Sequence, residues 1–320
     1  MKNRLENNNA EPLISVVVPV YNEEESIQPF LCRLIPILEK LGQYEVIFCL
    51  DPCSDNTFES ITSACETNTS VKMLQFSRRF GQPAATMAGL FNASGQFCVV
   101  IDVDLQDPPE LIPELLEKAQ SQGFDVVLAR RADRAGENIV KKIVSITGYR
   151  IINAIADVPI PENTGDFRLI NRKVVEHLKL FKEKHGFLRG MVALVGFNQT
   201  SITYKRDARA TGRSNYSQIT GSLKIGLNGI FAFSSAPLTI LMALGIFFAL
   251  IGFASAAVIV FVKLRGFDGY PLGIPTVLCV VLFLGGLQLI CMGIIGQYIA
   301  RIYDETRDRP LYIIDKKINF

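Results

Sequence analysis

Apolar runs and polar clusters alternate along the N-terminal two thirds of the chain, and the spacing inside each run separates strand from helix. LISVVVPV, residues 13–20, is an unbroken β-branched run that stops at YNEEE, the pattern of a parallel strand buried on both faces. Beyond it, with Ser26 near the start, apolar residues recur at Ile27, Phe30, Leu31, Leu34 and Leu38, which is helical spacing. The same alternation then repeats: a strand EVIFCL, a helix from about Thr57, a strand VKMLQF, a helix across AATMAGLFNA, a strand FCVVID, a helix across ELIPELLEKAQ and a strand DVVLAR. Alternating β and α units predict an α/β fold, a mostly parallel sheet with helices on both faces.

The pattern changes near residue 236. From Ala236 to Val262 no residue is charged, and a second uncharged stretch runs from Leu272 to Ala300. Each exceeds the roughly 20 apolar residues needed to cross a bilayer, and neither shows the polar face of a soluble helix. The link between them, KLRGFDGYP, has no room for a domain, so the prediction is a two-helix transmembrane hairpin over 234–303. Between it and the catalytic part at 1–215, residues 216–233 contain ITGSLKIGLNGIFAF, with one charge. That reads as an amphipathic helix lying on the membrane surface, or as a buried helix of the soluble part. Residues 304–320 are expected as a C-terminal tail.

Charge gives the hairpin a direction. Lys205, Arg206, Arg209, Arg213 and Lys224 precede the first apolar stretch, Arg301, Arg307, Arg309, Lys316 and Lys317 follow the second, and the link holds only Lys263 and Arg265. Both termini and the large N-terminal part are therefore expected on the cytoplasmic side of the plasma (inner) membrane, in a multi-pass arrangement. The polar start MKNRLENNNAEP has no apolar core and does not read as a signal peptide. Seven scattered cysteines fit a reducing compartment, and a net charge of only +2 argues against a nucleic-acid partner. Gly245, Gly252, Gly285, Gly286 and Gly293 permit close helix packing, and a homo-oligomer is expected.

In such sheets ligands bind beyond the carboxyl ends of the strands. The residues there are Asn22 and Glu23, then Asp51 and Asp55, then the basic loop SRRFGQ (77–82), then Asp102, Val103, Asp104 and Gln106. Two carboxylates one residue apart at a strand end suit one hard divalent cation, Mg²⁺ or Mn²⁺, which shares its coordination with substrate phosphates. Asp107, followed by Pro108, Pro109 and Glu110, reads as a helix N-cap. His177 and His185 lie in charged sequence and receive no chemistry.

Taken together and in order, VVVPVYNEEESI, DPCSDNT, SRRFGQPAA, DVDLQDPPELIP, GDFRLINR, ATGRSNYS and the apolar hairpin resemble the family 2 glycosyltransferases. Within them the chain is similar to the polyisoprenyl-phosphate hexosyltransferases of the bactoprenol glucosyltransferase and dolichyl-phosphate mannose synthase types. The resemblance implies a GT-A catalytic domain, a nucleotide-sugar donor, with UDP-glucose first and GDP-mannose second, and a polyprenyl-phosphate acceptor. It places Pro19, Tyr21, Asn22, Glu23, Asp51, Ser77, Arg78, Asp102 and Val103 at the donor, and Asp102, Asp104 and Gln106 at the metal. Arg131, Arg134, Arg206, Arg209 and Ser214 become candidates for phosphate and acceptor, where guanidinium groups suit oxyanions. Asp104, Asp166, Arg168 and Asp157 are the candidates for catalysis. One departure is plain: relatives read D-D-G-S-x-D where this chain has Leu50-Asp51-Pro52-Cys53-Ser54-Asp55.

A sugar hydroxyl acceptor needs a general base, but a polyprenyl phosphate is already an anion at neutral pH, with a second ionisation near about 6. Electrostatic positioning therefore ranks above proton removal, with Asp166 placing the acceptor or stabilising an oxocarbenium-like centre, and inversion by direct displacement is expected. A processive synthase, with its Q-x-x-R-W signature, is disfavoured because the chain has no tryptophan. A membrane-anchored nucleotide-sugar sensor is the nonenzymatic alternative.

Overall fold

The computed structural model describes residues 11–132, 164–181, 188–205, 236–265 and 274–320. Eight strands form one sheet: β1 (Ile14–Val20), β2 (Tyr44–Leu50), β3 (Val71–Phe76), β4 (Phe97–Val100), β5 (Val126–Arg131), β6 (Thr164–Asn171), β7 (Gln199–Tyr204) and β8 (Ile314–Ile318), in the order β7-β5-β6-β4-β1-β2-β3-β8. The centre of the sheet, β3-β2-β1-β4, is parallel throughout. These are the continuous apolar runs of the sequence: every residue of β1 is buried, as two covered faces require.

The helices over these strands are α1 (Glu24–Leu41), α2 (Thr57–Thr67), α3 (Gln82–Asn92), α4 (Ile112–Gln122), α5 (Arg172–Leu178) and α6 (Leu188–Val195). Ile27, Phe30, Leu31, Leu34 and Leu38 form the buried stripe of α1 and pack with Val16, Val18, Phe48 and the inner face of α4. Met87, Leu90 and Met191 help to cover the opposite face of the sheet, against Val17, Ile47 and Val100.

Two elements differ from the sequence-based expectation. GDFRL, to which the sequence pattern assigns no element, lies in β6, inserted antiparallel between β4 and β5. Phe167 and Leu169 face one core and Ile170 the other, so the strand is buried on both faces and an alternating polar pattern never shows. Residues 304–320 are not a separate tail either. Helix continues to Thr306, and β8 then pairs antiparallel with β3, closing that sheet edge.

The apolar C-terminal region forms two long helices, α7 (Ala236–Leu264) and α8 (Ile274–Thr306). Among the described residues one helical stretch, Phe283–Thr306, is long and apolar enough to cross a membrane, and Pro237–Gly252 is a shorter apolar one. Phe248 of α7 meets Phe283 of α8 with ring centroids 6.1 Å apart, while Leu250, Phe261, Leu289 and Ile299 present large apolar side chains outward. The expected interfacial helix at 216–233 lies outside the described residues.

Candidate active site

The carboxyl ends of β1 to β4 converge on one rim, and their turns are tied to one another. Asn22, in the left-handed region at φ 52°, takes a conformation that asparagine tolerates better than most residues. Its side chain accepts from the Ser54 amide at 2.9 Å, and its own amide donates to Cys53 Sγ at 3.2 Å. Asp55 accepts from the Thr57 hydroxyl at 2.6 Å and from the Glu24 amide. Cys53 and Ser54, within the stretch that departs from the family pattern, thus lock the first two strand ends together. Pro19 is buried within β1, level with Cys49 on β2.

Asp51 is buried, and its two carboxylate oxygens accept the backbone amides of Phe80 and Gly81, each at 2.9 Å. It therefore shapes the 77–81 loop from inside. Gly81, at φ 88°, starts α3 in a conformation that side chains rarely adopt. The loop's cations point outward, with Arg79 stacked on Tyr21 at 3.8 Å and Arg78 on Phe80 at 4.0 Å, and Ser77 is exposed beside them. Asp51→Ala leaves two loop amides without their acceptor. The expected result is a loss of hydrogen-exchange protection at the Phe80 and Gly81 amides, since charge-assisted bonds contribute roughly 1.5–3 kcal/mol, measured against an unchanged far-UV spectrum.

Asp102 and Asp104 follow β4. Between them Val103 turns its side chain into the core, leaving only its backbone to face a ligand. Leu105 is left-handed, φ 57°, a costly conformation for a leucine of the kind that clusters at functional sites. That turn brings the Gln106 amide back to Asp104 Oδ1 at 3.2 Å. Gln82, at the start of α3, donates to Asp102 Oδ1 at 2.9 Å. Desolvation, then the charges of Asp166, Asp107 and Asp104, push Asp102 up to about 7, with Arg131 opposing.

Asp107 is not a helix cap. It is buried, accepts the Tyr204 hydroxyl proton, and lies 3.7 Å from the Arg131 guanidinium. The following short helix begins with no side-chain cap, because Pro108 and Pro109 supply fixed φ without donors to satisfy. Arg131 ends β5 and lies across Gly165, where a Cβ would come within 2.7 Å of its Nη2; the glycine of GDFRL makes room for that guanidinium.

Asp166 stands at the start of β6 and accepts from Arg189 Nε on α6 at 2.9 Å. Burial alone would raise it, but Arg189, Arg168 and Arg131 outweigh that and hold it below the usual range. Arg168, a candidate for catalysis in the sequence, is enclosed behind Asp166. It is 1% exposed and donates to the carbonyls of Gly165 and Asp166, at 2.8 and 3.3 Å. It braces the strand that carries Asp166, and it is buried between covered faces because β6 is an interior strand. Arg189 was not among the sequence candidates; its only signal was a lone cation in the apolar stretch FLRGMVALV. Asp157, Arg134, Arg206, Arg209 and Ser214 lie outside the described residues. His177 is exposed, bonds to the Lys173 carbonyl one turn back and packs edge-on against Phe197 at 5.1 Å.

Residues 15–179, from β1 to α5, match the family described as Glycosyl transferase family 2. Among curated proteins the chain is 41% identical over 303 residues to the uncharacterized glycosyltransferase YkcC of Bacillus subtilis, covering 94% of this chain and 93% of that one. It is 41% identical over 305 residues to the SfII prophage-derived bactoprenol glucosyl transferase of Shigella flexneri (95% and 97%). With the prophage bactoprenol glucosyl transferase homolog of Escherichia coli it shares 39% over 305 residues (95% and 98%). The mostly parallel sheet is thus a GT-A, Rossmann-like domain, the chain is an enzyme, and it belongs to glycosyl transferase family 2.

Proposed function

We propose that the protein transfers a hexose, glucose from UDP-glucose in the first instance, to a polyprenyl phosphate at the cytoplasmic membrane face, with inversion at the anomeric carbon. The observation that carries the reading is the rim itself: an Asp102/Asp104 pair beside a cationic loop, with Asp166 and its guanidinium partners across from them. Relatives named as bactoprenol glucosyl transferases, alike over nearly their whole length, support the donor sugar and the lipid acceptor. GDP-mannose is the alternative donor.

The acids fit a divalent cation, Mg²⁺ or Mn²⁺. Burial first, and then the charges of Asp166, Asp107 and Asp104, push Asp102 upward, and a cation would offset that crowding, with its coordination completed by phosphate oxygens. Asp102 and Asp104 would hold it, with Gln106 adjacent. When bound, it supplies positive charge against the donor diphosphate. The protein's own groups do the rest. The 77–81 loop holds the nucleotide, Arg131 and Arg189 draw the acceptor phosphate toward the site, and Asp166, kept ionised, faces the developing positive charge at the sugar. The phosphate oxygen attacks the anomeric carbon as the bond to the nucleoside diphosphate breaks; no base is required, because the acceptor is already an anion.

Sheet topology supports the two-crossing membrane reading. β1 to β7 and β8 belong to one sheet, so residues 205 and 314 lie on the same side of any membrane. The intervening chain must cross an even number of times; with α8 as one crossing, α7 is the natural second.

Protonation of Asp102 sets a pH dependence. The carboxyl moves from 3.8 to about 7 on folding, so the metal-free fold loses this group's contribution as pH rises through about 7, and a cation competes with the proton below it. Metal affinity is expected to rise several-fold between about pH 6 and pH 8, with the metal-induced gain in melting temperature growing in parallel. A gain that shrinks over that range contradicts the assignment. The function is tested by nucleotide release: polyprenyl phosphate added to enzyme, metal and donor should liberate UDP from UDP-glucose faster than GDP from GDP-mannose. The anomeric configuration of the product, read by NMR, should be opposite to the donor's.

A further inference from the structure

The C-terminal strand does more than cover a sheet edge. Its ladder runs from Met73↔Ile318 to Phe76↔Ile314, with a break in register between Gln75 and Phe76. Edge protection would be complete there. The contacts instead continue beyond the strand: the Ser77 amide donates to the Ile313 carbonyl at 3.0 Å, and the Tyr312 ring packs on Phe76 with centroids 6.0 Å apart. Phe76 in turn meets Phe80 edge-on at 6.1 Å, and Phe80 is one of the two residues whose amides Asp51 holds. The 77–81 loop is therefore gripped at both ends, by Asp51 from within and by Tyr312 and Ile313 from outside, a few residues after α8 ends.

We propose that Tyr312 and Ile313 are positioning residues for the nucleotide-sugar donor, holding the 77–81 loop in its binding conformation. The inference rests on the reading that this loop binds the donor's nucleotide. By reciprocity, a nucleotide that orders the loop must also tighten the tail. The tail then couples the end of α8 to the donor site, and loop conformation depends on a segment that lies more than two hundred residues away in sequence, as the Phe76↔Ile314 pairing shows.

The test uses the full chain in detergent micelles with Mn²⁺ and titrates UDP and GDP calorimetrically. Tyr312→Ala is expected to weaken nucleotide binding by about five- to tenfold, the scale of one lost aromatic contact plus loop ordering, and Tyr312→Phe to restore it. Equal affinity in wild type and Tyr312→Ala overturns the proposal. Hydrogen exchange on the unaltered protein gives a second readout that does not depend on the variant folding: saturating nucleotide should slow exchange in Ile314–Ile318 as well as in 77–81. Protection of the loop with no change in the strand overturns the coupling. A wild type that binds neither nucleotide removes the donor-site reading, and this proposal with it.

Discussion

Asp104→Asn is expected to reduce sugar transfer by on the order of 10³-fold while leaving the protein folded. Asparagine has the same shape and keeps an oxygen to accept the Gln106 amide, bonded to Asp104 Oδ1 at 3.2 Å, so the left-handed turn at Leu105 survives. What is lost is one negative charge at a buried position beside the proposed site of the donor diphosphate. The loss should appear mainly in kcat, because the charge matters most as the leaving group gains its own. Raising the metal concentration should recover little of it. Transfer within about twofold of wild type, at saturating metal, would remove Asp104 from the metal site. The same variant tests the sensor reading on its own terms: a chain that bound nucleotide without catalysing transfer would show no turnover to lose, and the family assignment already makes the chain an enzyme.

Arg168→Met is expected to have the largest effect on stability, about 3 kcal/mol, near the lower end of the cost of removing one partner from a buried ionic cluster. The guanidinium is almost wholly enclosed, and burial pulls its pKa down to about 10 even with Asp166 opposing. It is retained in spite of that desolvation because it satisfies the carbonyls of Gly165 and Asp166. Methionine fills much of the volume and donates nothing, so two buried acceptors lose their partner. Asp166 keeps Arg189, which limits the damage. Urea unfolding should show the midpoint falling with the slope unchanged, and residual activity should fall further than stability alone explains, because Asp166 loses its backbone anchor. A variant as stable as wild type would mean that β6 needs no brace.

The central part of the fold was legible because its signals are local and strong. The α1 stripe from Ile27 to Leu38 and the runs that became β1 to β4 are buried as their periodicity requires. The rim was legible for the same reason: polar residues directly after an apolar strand in a parallel sheet have one place to go. Other features are decided by partners distant in sequence. β6 looks like a motif-bearing loop until β4 and β5 sandwich it. β8 is a short stretch with adjacent lysines, weak as a strand in isolation, and it exists because β3 offers an open edge. Asp107 sits where a cap would, and Tyr204, far along the chain, together with Arg131 holds it inward. Arg189 and Arg168 exchanged the expected prominence: the one with motif company went to structure, and the one in plain apolar sequence reached Asp166.

Transfer of label from UDP-[¹⁴C]glucose into an organic-extractable polyprenyl-phosphate product, by detergent-purified protein with Mg²⁺ or Mn²⁺ and in parallel with chelator, tests the account most directly. The prediction is label in the lipid phase with metal, none with chelator, and none with Asp104→Asn. Label that persists in chelator, or an absence of lipid label with both UDP-glucose and GDP-mannose while nucleotide still binds, would contradict metal-assisted hexosyl transfer to a lipid phosphate.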